Sequence, residues 1–213
     1  YSGTAYGDTL KHPPISDTQK VYDTVKKEFK EKFDIETLDQ MNFNNTYTLA
    51  VTPEIARKYR LKTISDLAKV GSQLRSGTTL EFMNRKDGLP GLLKKYDFQF
   101  KKSIGLDGSP RYVALMNGES DVVDAYATDG LLKKFNLVTL KDDKNFFPPY
   151  YAMPIVRGEV LKKYPEIAQP LKELGTHLTD GVMTELNYEV DELQKQPADV
   201  AHAFLVKEGL IRQ

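Results

Sequence analysis

The feature that most constrains this chain is an imbalance of periodicity. Strand and helix signals alternate through its middle, while both flanks carry helix signals almost alone. A strand over 46–51 is followed by helices over 54–59 and 65–74. Then come a strand over 78–82, a helix over 89–96 and a short strand over 102–106. A helix over 110–117, an apolar strand over 122–127, a short helix over 130–135 and a strand over 137–140 complete the series. Alternation at this spacing predicts an α/β unit with a mainly parallel sheet. The punctuation has local causes. Thr52-Pro53 supplies a capping hydroxyl and a proline at the first helical position, where its missing N–H leaves nothing unpaired. Ser109-Pro110 repeats the device.

The flanks read differently. Residues 16–33 form an amphipathic pattern, with Ser16 and Gln19 at capping-box spacing and Val21, Val25, Phe29 and Phe33 recurring along one face. After Tyr151, helices are expected over 158–164, 166–174, 181–190 and 197–207, with Gly209 in the place of a C-terminal cap. A helix with an apolar face needs something to bury it against, and the flanks offer little strand material. The expected organisation is therefore two lobes. Residues 39–142 make a self-sufficient α/β lobe, and residues 1–38 with 143–213 make a helix-rich lobe whose central strands are missing. The chain opens on Tyr1 and reads as a processed or cut-down product.

Composition and motif content narrow the function. Thirty Lys and Arg balance thirty Asp and Glu, so the basic excess of a nucleic-acid binder is absent. The absence of cysteine excludes disulfides, thiolate metal ligands and a cysteine nucleophile. His12, His177 and His202 lie in a loop and two predicted helices without metal-ligand spacing. There is no nucleophile elbow, P-loop or dinucleotide fingerprint. No pair of carboxylates stands in an apolar setting that would tune it as acid and base. The expectation is a binding protein rather than an enzyme, with no metal and no cofactor. No apolar run approaches the roughly 20 residues of a membrane span.

What stands out instead is a set of aromatics beside small polar groups. They are Tyr1-Ser2-Gly3-Thr4, Asn44-Asn45-Thr46-Tyr47, Asp124-Ala125-Tyr126-Ala127-Thr128-Asp129 and Phe146-Phe147-Pro148-Pro149-Tyr150-Tyr151. Each falls at a predicted strand end or lobe junction, and ligands of open α/β sheets settle at the carboxyl ends of strands.

The run 43–51, the stretch Asp87-Gly88-Leu89-Pro90-Gly91, the Gly105-Leu106-Asp107-Gly108 turn leading into Arg111-Tyr112, and the run 146–151 occur in a definite order and at definite intervals. Together they resemble the substrate-binding proteins of osmoprotectant ABC importers, the glycine betaine/carnitine/choline-binding family, some of whose ergothioneine-binding members are fused to the permease. The resemblance implies a two-lobed α/β clamshell of the type II periplasmic-binding-protein kind. Its first lobe is built from both ends of the chain and is incomplete here, because Tyr1-Ser2-Gly3-Thr4 matches a segment that members reach well into their chains. It also implies capture of a trimethylammonium compound (choline, glycine betaine, carnitine or ergothioneine) for an ABC permease. The setting would be the extracytoplasmic face of a bacterial membrane, reached by a lipid anchor or by fusion to the permease. A ligand-sensing effector domain of a regulator with the same clamshell is the alternative.

A trimethylammonium head has no N–H to donate and is held by the negative faces of aromatic rings. By residue match, the family's tyrosine cage would be Tyr22, Tyr47, Tyr126 and Tyr150, with Tyr151 as the alternative to Tyr150. Thr4 and Asn45 match positions that bind the polar end of the ligand. Plainer readings stand beside these. Tyr22 reads equally as helix core, Tyr47 and Tyr126 as ordinary strand aromatics, and Tyr150 or Tyr151 as hinge packing. Arg111 could meet a ligand carboxylate or make an ion pair on the lobe surface, and Asp129 reads as a helix cap.

Overall fold

The chain divides at Thr46/Tyr47 and again at Phe147/Pro148 in the computed structural model, which describes residues 1–212. One unit is Tyr1–Thr46 together with the chain from Pro148 onward, and the other is Tyr47–Phe147. Both divisions fall later than the expected 38/39 and 142/143. The reason is that the segments around them hold each other. Asn44 forms a β-bridge with Tyr151, the Asn45 amide donates to Tyr150 O at 3.0 Å, and the Thr46 hydroxyl donates to Pro148 O at 2.9 Å.

The first unit opens with α1 (Ser2–Thr4), which runs into a π-helical turn at Ala5–Thr9 that the sequence pattern did not signal. Next comes α2 (Thr18–Phe33), capped by Asp17, whose side chain accepts the Lys20 amide, rather than by Ser16. Val21, Val25 and Phe29 are buried against Ala5, Tyr6 and Leu10. Phe33, the last residue of the expected stripe, is 49% exposed, so the apolar face ends one turn early. Asp34 then adopts the left-handed conformation and releases the chain into β1 (Ile35–Thr37).

The second unit contains β2 (Tyr47–Val51), α3 (Pro53–Tyr59), α4 (Ile64–Val70), β3 (Arg75–Thr78), α5 (Leu80–Asn84) and α6 (Leu89–Tyr96). It continues through β4 (Lys102–Gly105), α7 (Pro110–Met116), β5 (Val122–Tyr126), α8 (Gly130–Lys134) and β6 (Val138–Leu140). Its five strands lie in the order β4-β3-β5-β2-β6. β3 runs parallel to both β4 and β5, while β2 is antiparallel to β5 and β6. Four strands, β3 to β6, therefore run in one direction and β2 alone runs against them, a mainly parallel sheet with one reversed strand. Ala50, Val123 and Ala125 pack on Tyr112, Leu115 and Leu132 of the covering helices. Full burial of a valine or leucine such as Val123 or Leu115 stabilises the unit by about 1.5–3 kcal/mol.

One expected strand is corrected outright. Residues 78–82 looked extended because two threonines and a phenylalanine favour strands. The strand ends at Thr78. Thr79 caps α5 instead, its hydroxyl accepting the Phe82 amide at 3.1 Å. A threonine hydroxyl that can satisfy an unpaired helix N–H outweighs a weak strand propensity.

The chain then returns to the first unit. There β7 (Ile155–Arg157) pairs antiparallel with β1. Helices α9 (Gly158–Lys163), α10 (Ala168–His177), α11 (Asp180–Asp191) and α12 (Pro197–Lys207) follow. Gly209 takes φ +74° and donates its amide to Val206 O at 3.0 Å, ending α12 as its position predicted. Phe43, Leu178 and Phe204 centre the packing of these helices. Among the described residues, the β1/β7 ladder is the only sheet of this unit.

Candidate ligand-binding site

In the second unit, the carboxyl ends of β3, β4 and β5 and the amino end of β2 meet at one end of the sheet. Tyr47 and Tyr126 are direct partners in the β2/β5 register there. Directly opposed residues of an antiparallel pair project their side chains to the same face. Their ring centroids accordingly lie 5.0 Å apart, tilted by 33°. The Phe82 ring lies 5.1 Å from that of Tyr47, and the Phe147 ring 6.1 Å from it. Phe146 meets Phe147 edge-on at 5.1 Å. The result is a wall of rings in which Tyr47 is buried and Tyr126 half-buried.

The two hydroxyls share a hydrogen bond, and burial is the main cause that raises both above the ordinary phenol range. Both tyrosines therefore remain neutral at physiological pH. Their rings keep the electron-rich face that attracts a cation.

A buried polar network holds the strand end that carries Tyr126. Asp124 is fully buried on β5 and accepts the Thr79 amide at 2.9 Å and the Thr79 hydroxyl at 2.8 Å. Arg111 is 5% exposed and donates to Asp124 O, Gly108 O and Asp129 Oδ2 at 2.9, 2.7 and 3.1 Å. The same Asp129 oxygen accepts the Tyr112 hydroxyl at 2.6 Å. Desolvation raises the Asp124 carboxyl, opposed by Arg111 beside it and by the Thr79 bonds. The surface ion pair considered for Arg111 is thus corrected: the guanidinium is interior. Asp129 stands at the N-cap position of α8, yet its side chain makes no capping bond and anchors Arg111 and Tyr112.

Two further devices place the phenylalanines. Arg85 grips Asp87 with two bonds of 2.8 Å, just ahead of Gly88, the N-cap of α6, and Gly91 in its first turn. A Cβ on Gly88 would stand 2.2 Å from Phe82 O, and one on Gly91 2.0 Å from Lys86 O. Only glycine lets the start of α6 lie this close to Phe82 at Gly88 and to the Lys86 carbonyl at Gly91. At the other end, the Tyr96 hydroxyl donates to Asp142 at 2.5 Å, and the second Asp142 oxygen accepts the Phe147 amide at 2.8 Å.

The first unit gathers a second set of the expected residues. Gly3 of α1 lies against Tyr150, where a Cβ would be 2.7 Å from Pro149 O and 2.8 Å from the Tyr150 ring. The Tyr150 amide donates to Asn44 Oδ1 at 2.7 Å, and the Tyr151 amide to Ser2 Oγ at 3.0 Å. Tyr150 is buried and Tyr151 half-buried. Asn45 is joined to Tyr150 through its amide, and its side chain approaches the Tyr1 hydroxyl at 3.4 Å. Tyr1, part of a quoted aromatic run but not assigned to the tyrosine cage, is 49% exposed and meets Phe43 edge-on.

Thr4 is exposed on α1. Tyr22 is half-buried on α2, with its hydroxyl donated to Leu38 O at 3.0 Å and the Lys26 ammonium 5.5 Å from its ring centre. Phe82 and Phe147 were also missed as partners of the tyrosines. Phe147 lay inside a quoted aromatic run, but Phe82 carried no local signal. Among the described residues, no cluster of His, Asp or Glu could hold a metal ion, and no helix is long and apolar enough to cross a membrane.

Comparison with known proteins supplies the context for this arrangement. The family model for the substrate-binding domain of ABC-type glycine betaine transport systems matches residues 1–207. The ergothioneine transport permease/ergothioneine binding protein EgtU of Helicobacter pylori (strain G27) is 40% identical over 211 residues, which are 99% of this chain and 38% of that protein. The carnitine transport binding protein OpuCC of Listeria monocytogenes is 40% identical over 208 residues, 97% of this chain and 68% of the relative. A crystal structure of a glycine betaine/carnitine/choline ABC transporter matches with a TM-score of 0.89 at 40% identity, covering 99% of this chain and 77% of that one. The chain thus spans well under half of one curated relative and about two thirds of the other.

Proposed function

The chain belongs to the family of substrate-binding domains of ABC-type glycine betaine transport systems, and from that membership we propose that it captures a small trimethylammonium compound for an ABC importer. The fold is α/β of the type II periplasmic-binding-protein class, and the members of this family bind solutes for transport rather than transform them. That membership favours the importer reading over the effector domain of a regulator.

The observation that carries the proposal is the Tyr47–Tyr126 pair, two neutral rings 5.0 Å apart at the ligand-prone end of a sheet. A quaternary ammonium cannot be satisfied by hydrogen bonds, and each ring face it meets contributes about 0.5–2 kcal/mol. Tyr150 or Tyr151 and Tyr22 are the further tyrosines of the proposed cage. The exposed ring of Tyr1 is a further candidate beside Asn45. Thr4 and Asn45 would bind the polar end of the ligand. The partner would be an ABC permease on the extracytoplasmic side of the bacterial membrane, with the binding domain tethered by a lipid anchor or fused to the permease. The relative named as both permease and binding protein supports the fused arrangement.

Isothermal titration of choline, glycine betaine, carnitine and ergothioneine, with glycine as a control lacking the methylated head, tests this reading. Saturable binding of at least one of the four, and none of glycine, is the expected result. Silence toward all four removes the importer assignment.

A further inference from the structure

Three rings of the wall are carried by regular structure: Tyr47 by β2, Phe82 by α5 and Tyr126 by β5. Phe147 is not. It lies after β6 in a segment that belongs to no helix or strand. Its ring is nevertheless buried, 6.1 Å from Tyr47 and 6.2 Å from Phe82. A ring held there needs its backbone fixed by something other than a ladder or a helical turn.

Side chains fasten the segment. The Phe147 amide donates to Asp142 Oδ2 at 2.8 Å, and Asp142 Oδ1 accepts the Tyr96 hydroxyl at 2.5 Å. One carboxylate thus joins Phe147 to the last residue of α6, with one oxygen for each donor. The Tyr96 oxygen in turn accepts the Lys144 amide at 2.9 Å, so the same phenol holds the turn at two points. Within that turn Asn145 takes φ +48° and donates its amide to Asp142 O at 3.4 Å. Burial, and then the bond to Asp142, raise the Tyr96 hydroxyl above the ordinary phenol range, and it stays a donor at physiological pH. The start of α6 supports the neighbouring ring, since a Cβ on Gly91 would stand 2.9 Å from the ring of Phe146.

We propose that Tyr96 is a positioning residue of the ligand face: through Asp142 it fixes the Phe147 ring beside Tyr47, and so sets how tightly the wall holds a quaternary ammonium. The proposal rests on the reading of Tyr47 and Tyr126 as the quaternary-ammonium face and deepens it. Tyr96 is 3% exposed and presents almost no surface to a ligand. Its influence passes through the carboxylate. Without the hydroxyl, Asp142 keeps only the Phe147 amide, and its half-buried carboxylate can turn toward water and release that amide. A binding face keeps its geometry only while the side chains behind it are locked.

The test is a double-mutant cycle on affinity for choline, glycine betaine, carnitine and ergothioneine, using wild type, Tyr96→Phe, Phe147→Leu and the double variant. Tyr96→Phe keeps the ring of residue 96 and should weaken binding of the ligands that wild type accepts by about three- to tenfold. In the Phe147→Leu background the same change should cost less than about twofold, because the ring it positions is gone. Loss of a buried hydrogen bond lowers the melting temperature whatever Phe147 does, whereas dependence of the affinity loss on Phe147 does not follow from lower stability. Asp142→Asn supplies the second variant: its single carbonyl oxygen must choose between two donors, and the same loss with the same dependence on Phe147 is expected. Unchanged affinity in both Tyr96→Phe and Asp142→Asn overturns the proposal, and so does an equal loss with and without the Phe147 ring. A wild-type protein that binds none of the four compounds sinks the underlying reading of the tyrosines, an outcome distinct from both.

Discussion

Asp129 and Tyr126 are joined by a hydrogen bond from the Tyr126 amide to Asp129 Oδ2, at 3.2 Å. That one oxygen also receives the Tyr112 hydroxyl and the Arg111 guanidinium. The backbone that aims the Tyr126 ring is therefore fixed by a carboxylate three residues further on, and through it by α7. Replacing Asp129 by asparagine removes the charge that balances a buried guanidinium, and the expected loss of folding stability is about 2–3 kcal/mol. Urea denaturation measures it. A variant as stable as wild type would show that the network is dispensable.

Tyr47→Ala and Tyr126→Ala each remove a ring face. We expect each to weaken binding of the preferred trimethylammonium ligand by at least about tenfold, the equivalent of about 1–2 kcal/mol. The corresponding Phe variants keep the faces and should retain most of the affinity. Calorimetry on well-folded variants decides the matter, and unchanged affinity in both Ala variants withdraws the site assignment.

Gly88→Ala would place a methyl group 2.2 Å from the carbonyl oxygen of Phe82. Backbone cannot yield as a flexible side chain does, so the loop or α5 must shift. The expected cost is about 1–3 kcal/mol, read as a lower melting temperature with a changed near-ultraviolet signal from the ring wall. Gly181, around which the structure leaves open space, is the matching control.

Acid should loosen the start of α4 before it unfolds the core. Asp66 closes a capping box with Thr63. Its hydrogen bonds, led by that from Lys69 and followed by those of the Lys62 and Thr63 amides, lower its carboxyl from 3.8 to about 2. A carboxyl lowered by folding stabilises the folded state above its ordinary value, and that contribution disappears as pH falls through the lowered one. The stability difference between wild type and Asp66→Asn should therefore be constant near neutral pH and shrink between about pH 4 and about pH 2. Denaturation curves at stepped pH measure it. A difference independent of pH would exclude the charged form as the stabilising one.

Much of the architecture was legible because its signals are local. Thr52-Pro53 starts α3 and Gly209 ends α12 through chemistry contained in a few neighbouring residues. The stretch 78–82 failed because cap and strand compete for the same threonines, and only the position of Asp124 on β5, beneath Thr79, decides between them. The ladder of β1 and β7 was missed for a related reason, since three-residue strands carry no measurable alternation. In the site, Tyr47 and Tyr126 could be singled out by resemblance, but Phe82 enters the wall through tertiary packing alone. Arg111 was misjudged because a long charged side chain at the start of a helix usually lies in solvent. Its burial becomes evident only when Asp124 and Asp129 are seen to surround it.

Tyr47 and Phe147 are the first and last residues of the second unit, and their rings lie 6.1 Å apart. A unit whose two ends converge can be exchanged between related chains, or reclosed end to end, without stretching its fold. Recombination at these two points would transfer Tyr47, Phe82, Tyr126 and Phe147 as one block. Ligand preference encoded in this unit would then pass between lineages in a single event, with no need for it to be rebuilt one substitution at a time.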